Sequence, residues 1–238
     1  YTNLFGVEAR ILKAEAGGAA LFVLDAPAFF DRDGGPYADH AGHDWGDNWR
    51  RFAAFSRAAA DLASGGVKGE TFDILHAHDW QAAMAPAYLR YAPAGPAPKS
   101  VMTIHNMAFQ GYYSAEIFGG LGLPAHAFAM DGVEYHGGVG FLKSGMEAAN
   151  VITTVSPSYA AEIRSAEFGM GLEGLVRDRG DRVMGIVNGI DTAVWNPESD
   201  TDLPAPFSAR TLGKRSGNKR AVELAFGLDQ DDGPLFIV

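Results

Sequence analysis

Two imidazoles, a carboxylate and an indole stand together in His76-Ala77-His78-Asp79-Trp80, directly behind the apolar run Phe72-Asp73-Ile74-Leu75. On a strand, alternate residues share a face, so His76 and His78 point the same way. Such an H-x-H pair can hold a metal ion when further ligands converge on it. His105, His126 and His136 are the loose candidates for a third ligand. The plainer reading gives one histidine a hydrogen bond in the core and the other a place in the wall of a site. Asp79 precedes a helical stretch, which suits an N-cap. The same carboxylate at a strand end also suits hydrogen bonds to a hydroxyl-bearing ligand. A second cluster, His105-Asn106, closes the run Val101-Met102-Thr103-Ile104 and offers a donor and an acceptor side by side. Ser156-Pro157-Ser158 and Asn188-Gly189-Ile190-Asp191 stand at the ends of two more apolar runs. A turn role for Asn188-Gly189 competes with a hinge.

The elements that must position these groups follow from period and punctuation. Residues 8–14 and 19–25 are β-like runs about Gly17-Gly18 and predict a hairpin. Residues 26–47 are rich in Gly, Pro, Asp and His and predict a loop. Trp49, Phe52, Ala53, Ser56, Ala59, Ala60 and Ala63 mark one helical face over 48–63, ended by Gly65-Gly66. Strands are expected at 72–77, 100–105, 151–155 and 183–187, with helices at 80–91 and 139–149 between them. Ser156 as N-cap and Pro157 at the first helical position open a further helix. Residues 106–138 read as irregular, and Phe141-Leu142-Lys143-Ser144-Gly145 as a helix packed on the sheet, with Lys143 open to a solvated role. Short apolar strands alternating with helices predict an α/β fold, a Rossmann-like parallel sheet covered on both faces. In such a sheet ligands bind outside the carboxyl ends of the strands. All four polar clusters fall there, on one rim. The G-x-G-x-x-G at 169–174 follows no strand, so the dinucleotide reading is rejected.

Composition narrows the partners. The 238 residues are 47% hydrophobic and 20% charged, as in globular proteins, with no apolar run of membrane-span length. Cysteine is absent, which removes disulfides and thiolate metal sites and, with no visible signal peptide, leans towards the cytoplasm. A net charge of −10 argues against nucleic acid as a partner. The chain begins Tyr1-Thr2-Asn3 and ends in the strand-like Pro234-Leu235-Phe236-Ile237-Val238, so a piece of a longer protein is expected. Nothing in the sequence marks an oligomeric state.

Seven stretches in consistent order carry a resemblance: "LDAPAFFDRDGGPY" (24–37), "DILHAHDWQAAMAPAYLR" (73–90), "SVMTIHNMAFQGYY" (100–113), "GFLKSGMEAANVITTVSPSYAAEI" (140–163), "GLEGLVRDR" (171–179), "GIVNGIDTAVWNPESD" (185–200) and "GKRSGNKRAVELAFGL" (213–228). Together they resemble the bacterial glycogen synthase and plant starch synthase family, retaining glucosyltransferases of the two-domain glycosyltransferase B type. The resemblance implies that residues 1–188 are the N-terminal, acceptor-side domain without its first strand and its Lys-Thr-Gly-Gly loop. Residues 189–238 would then be the hinge and the start of the sugar-nucleotide domain. It implies transfer of glucose from ADP-glucose to the non-reducing end of an α-1,4-glucan, in glycogen biosynthesis, with no metal or other cofactor. The fragment alone is expected to be inactive.

Residue by residue, His105 matches the family's active-site histidine, which holds glucosyl hydroxyls near the 6-position and sets its carbonyl by the positive ring. Asp79 matches a carboxylate that organises the pocket, Asn106 a neighbouring pocket residue, and Asn188 a sugar contact beside the hinge. Trp45 stands where the family often has Tyr, which puts any hydroxyl role there in doubt. Tyr112 and Trp80 are candidates for stacking on glucan rings, with core packing as the alternative. A non-catalytic glucan-binding module, and a metal-dependent hydrolase using His76 and His78, are the competing functions.

Overall fold

The structure, a computed structural model, describes residues 1–234. The strand-like end at 235–238 lies outside the described residues. Contacts divide the chain into Tyr1–Val187 and Asn188–Val238.

The first unit opens with the hairpin β1 (Arg10–Ala16) and β2 (Ala19–Asp25), paired antiparallel about Gly17-Gly18. Both turn glycines have positive φ, which explains why glycine is needed there. The loop that follows contains one short helix, α1 (Pro27–Phe30), before α2 (Asn48–Asp61). Alanines let α2 bury two sides at once. Ala53 and Ala60 join the main core, while Ala54 and Ala58 pack with Leu4, Ala9, Ala26 and Phe29 in a smaller one. The chain then alternates: β3 (Ile74–His78), α3 (Asp79–Ala82), α4 (Met84–Tyr91) and β4 (Lys99–Ile104). A glycine- and aromatic-rich stretch holds β5 (Tyr112–Tyr113), β6 (Glu134–Tyr135) and β7 (Gly138–Gly140), which pair in the order β5-β7-β6. Then come α5 (Phe141–Ala148), β8 (Val151–Thr154), α6 (Pro157–Glu162), α7 (Ala166–Gly169), α8 (Glu173–Arg179) and β9 (Val183–Gly185). Strands β3, β4, β8 and β9 form one parallel sheet in that order. The α/β expectation therefore holds, and the carboxyl ends of these strands share one edge.

Four local departures from the sequence reading have physical causes. The helix expected over 80–91 is two helices meeting at Ala83. Pro86 has no N–H to return to the carbonyl of Ala82 and crowds it, so the helix breaks one turn earlier. Strand β3 alternates buried and exposed residues instead of being covered on both faces. Leu75 and Ala77 enter the core, whereas Ile74 is 58% exposed and His76 and His78 share its face. The stretch 106–138, expected to be irregular, carries β5, β6 and the first residue of β7. Lys143 is buried, not solvated: Nζ donates to the carbonyls of Met130 and Gly132 and lies 3.4 Å from Glu147. Burial lowers its pKa, partly offset by Glu147.

Ser156 caps α6 as expected, its hydroxyl accepting from the Tyr159 N–H at 3.0 Å, with Pro157 at the first helical position.

The second unit, described by itself, is a run of turns to residue 211 and one long helix, α9 (Arg215–Phe226). Asn218 of α9 exchanges two hydrogen bonds with the backbone of Ala205, and buried Glu223 pairs with Lys219 and Arg220.

Helix α5 approaches the α3–α4 junction closely. A Cβ on Gly145 would lie 2.7 Å from the Ala83 carbonyl oxygen, a backbone atom that cannot swing away. Gly145→Ala should destabilise the first unit by about 1–3 kcal/mol. At roughly 2–4 °C per kcal/mol for a domain of this size, a thermal melt will register the loss; an unchanged melting temperature would mean the helices separate freely.

Candidate active site at the carboxyl ends of the strands

The site begins where β3 and β4 release the chain. Residues His78 and Thr103 are paired across these strands, so Asp79 and His105 leave them nearly side by side. Asp79 takes φ +52, a left-handed conformation that Asp and Asn tolerate better than other side chains. That turn aims its carboxylate across the strand ends, where Oδ1 accepts the backbone N–H of His105 at 2.8 Å. The capping role weighed for Asp79 is thus not the one it plays. His78 occupies the cap position of α3, and no side chain caps that helix. His105 is exposed on its own loop, and its Nε2 lies 3.0 Å from His78 Nδ1. His76 Nε2 lies 2.6 Å from Thr103 Oγ1, which in turn lies 2.6 Å from Thr153 Oγ1. Burial, then the neighbouring His76 and His105, push the pKa of His78 down, with Asp79 pulling the other way. Among the described residues no group of three histidine or acidic side chains is placed to hold a metal ion.

Asn106 turns its oxygen inward on its own loop, accepting the Ala108 N–H at 2.9 Å. That is the loop-stabilising role, and it leaves the amide nitrogen free to donate and one oxygen lone pair to accept.

Beside this pair opens a cleft of about 660 Å³. Its lining continues directly from the two strand exits: Trp80 and Gln81 after Asp79, and Ala108 to Tyr113 after His105. The opposite wall comes from the loop before α2, with Tyr37, Asp44, Trp45 and Asn48. Trp45 and Tyr112, singled out from the sequence, both line this cleft. Trp45 donates from Nε1 to Gly35 O at 3.2 Å, with Arg32 over its ring. Tyr112 is 52% exposed and donates to His136 O. Trp80 is held in a ring of aromatics, 4.7 Å from Phe52 and in wider contact with Tyr37, Tyr113 and Phe141. It is the floor of the cleft more than a free platform. Burial, reinforced by Asp44, raises the Tyr113 pKa and keeps its hydroxyl protonated.

Buried Arg51 fixes the far wall, donating to Phe29 O, Pro36 O and Asn48 Oδ1. Asn48 donates in turn to Tyr37 O. Arg32 grips Asp47 through two hydrogen bonds and holds that carboxyl below the usual range.

Sequence reading brought His105, Asp79, Asn106, Trp45 and Tyr112 to this edge. Asn188 is the first residue of the second unit and is exposed; the rim described here is that of the first unit alone. The reading missed Tyr37, Gln81, Phe109 and Asp44. Phe109, 62% exposed, carried the clearest overlooked signal: a large apolar side chain in a polar, glycine-bearing loop.

The starch synthase catalytic domain family matches residues 2–178. Glycogen synthase of Novosphingobium aromaticivorans is 65% identical over 240 residues, covering all of this chain and 50% of that protein. Glycogen synthase of Mesorhizobium japonicum is 58% identical over 238 residues, again all of this chain and 49% of the relative. The catalytic domain of starch synthase IV from Arabidopsis thaliana, bound to ADP and acarbose, superimposes with a TM-score of 0.72 at 33% identity, covering 95% of this chain and 46% of that one. The chain spans about half the length of the curated relatives it matches. On sequence and fold alike, it belongs to the starch synthase catalytic domain family.

Proposed function

We propose that the protein containing this chain is a glycogen synthase, transferring glucose with retention from ADP-glucose to the non-reducing end of an α-1,4-glucan. The observation that carries this reading is the Asp79–His105 bond beside an aromatic cleft with polar groups at its margins. Such a cleft suits sugar rings, whose flat apolar faces stack on aromatics while their hydroxyls take hydrogen bonds from side chains. The curated relatives named above are glycogen synthases by name, and the starch synthase IV neighbour is bound to ADP and acarbose.

The chemical problem is breaking the bond between an anomeric carbon and a diphosphate. Negative charge grows on the leaving group and positive charge on the ring. This rim supplies hydroxyl recognition through the His105 side chain, a His105 backbone held through its N–H by Asp79, and a single carboxylate at the strand exits. Cations for the diphosphate, and the contribution of Asn188, belong to the complete protein. No metal or other cofactor takes part in this proposal, and the setting is cytoplasmic. A hydrolase built on His76 and His78 is not favoured, because His76 is engaged with Thr103 and, among the described residues, no group of three side chains is placed to hold a metal ion.

The reading is tested with the full-length native protein by following radiolabelled glucose from ADP-glucose into glycogen; no incorporation, or hydrolysis alone, would remove it. Asp79→Asn is the informative substitution, because Asn keeps an acceptor for the His105 N–H and tolerates the left-handed backbone. Melting should stay within about 1 kcal/mol of wild type while turnover falls by about 100-fold or more. Unchanged turnover would show that the carboxylate charge has no part in transfer. In the cleft, Phe109→Ala and Tyr112→Ala should each raise KM for oligosaccharide by about 2- to 10-fold and leave kcat nearly unchanged. A fall in kcat alone would count against a stacking role.

A further inference from the structure

The rim holds an imidazole that the proposed transfer does not itself require. From its geometry we infer that His78 is a positioning residue, fixing the ring plane and tautomer of His105 by sharing one proton between His78 Nδ1 and His105 Nε2. The inference rests on the proposed function only for its effect on rate; the pairing itself stands on geometry.

The two nitrogens are 3.0 Å apart and the rings are centred 5.3 Å apart with a 38° tilt. At that separation one nitrogen donates and the other accepts; two facing N–H groups would collide. Whichever nitrogen carries the hydrogen, the tautomers of the two neutral rings are no longer independent. With Nε2 engaged, Nδ1 is the remaining His105 nitrogen able to meet a ligand hydroxyl, and whether it donates or accepts follows from the tautomer of His78.

His78 can impose this because it is itself held. Its ring packs on His76, centred 4.3 Å away at a 30° tilt. His76 is anchored to Thr103, and Thr103 to Thr153. Both threonines are buried, on β4 and β8. A line of side chains from three adjacent parallel strands thus stands behind His105, with the two threonines buried and the histidines at the exposed end. Desolvation and the neighbouring His76 and His105 lower the His78 pKa, which favours the neutral ring with one donor and one acceptor nitrogen. The main chain of His105 is fixed separately, by Asp79. Backbone and ring are therefore set by two different residues of one motif.

The pairing is tested by nitrogen-15 NMR of labelled histidines in the full-length protein, alongside steady-state kinetics. Wild type should show a single His105 tautomer and a scalar coupling across the N–H···N bond. His78→Leu should abolish the coupling, average the His105 tautomers and lower kcat/KM by about 10- to 100-fold. His78→Asn, which returns a polar atom near the Nδ1 position, should recover a single tautomer and most of the rate. Identical His105 ring signals in wild type and His78→Leu overturn the inference whatever the activity. So does a wild-type protein with mixed tautomers and no coupling, without recourse to any variant. A wild type that shows the coupling but transfers no glucose removes the functional reading and leaves the pairing in place.

Discussion

One hydrogen bond joins the two strand exits on which the cleft depends. The carboxylate of Asp79 leaves the end of β3 and accepts the first amide after β4. A bond to an ionised acceptor contributes on the order of 1.5–3 kcal/mol, against the roughly 1–2 kcal/mol that a left-handed residue costs. The two are close to balance, so the arrangement gives little net stability. What it gives is direction. The chain after β3 turns at once into α3, placing Trp80 beneath the loop that starts at His105. That loop then passes so near that Gly111, at φ +60, has no room for a side chain: a Cβ would lie 2.5 Å from the Trp80 ring. The near wall of the cleft is therefore set within a few residues of one carboxylate.

The far wall has a different origin. Residues 26–47 contain little regular structure, and their shape is imposed from outside by α2. Arg51 is 3% exposed, a cation is costly to desolvate, and burial lowers its pKa accordingly. It is offset by three acceptors, two of them carbonyls of the loop itself. A loop rich in glycine and proline cannot hold Tyr37 and Trp45 at a set distance by local propensity. A buried cation reaching back from a rigid helix can. The cost in stability is met in the helix that forms both hydrophobic cores, which is where the molecule has most to spend.

How much of this was legible beforehand depended on the range of the signal. The hairpin about Gly17-Gly18, the Ser156 cap and the parallel alternation are local patterns, and each appears in the structure as read. The edge of the sheet where His105 and Asp79 meet followed from topology alone, since parallel strands must end together. The bond between them was not legible, because it depends on φ at Asp79, and a sequence suggesting an N-cap gives no hint of a left-handed turn. The cleft escaped for a stronger reason. Its lining joins residues near 37–48, 80–81 and 108–113, and no periodicity links segments so far apart. The split at Ala83 was available from Pro86, but the apolar pattern of 80–91 runs through it and hides the break.

Within the cleft, exposure separates residues that the sequence treats alike. Trp80, Tyr112 and Phe109 are all aromatic and all within reach of a ligand, yet they stand in different physical situations. Trp80 has Phe52 edge-on at 4.7 Å and further rings around it, so most of its dispersion energy is already spent inside the protein. A ligand ring arriving there gains little beyond shape. Phe109 and Tyr112 keep half or more of their surface in water, and covering that surface releases free energy on binding. The floor is therefore rigid and the outer platforms carry the binding energy. If the chain acts as proposed, on a polymer acceptor, that division would separate a fixed depth beside the Asp79–His105 pair, set by Trp80, from exchangeable contacts further out.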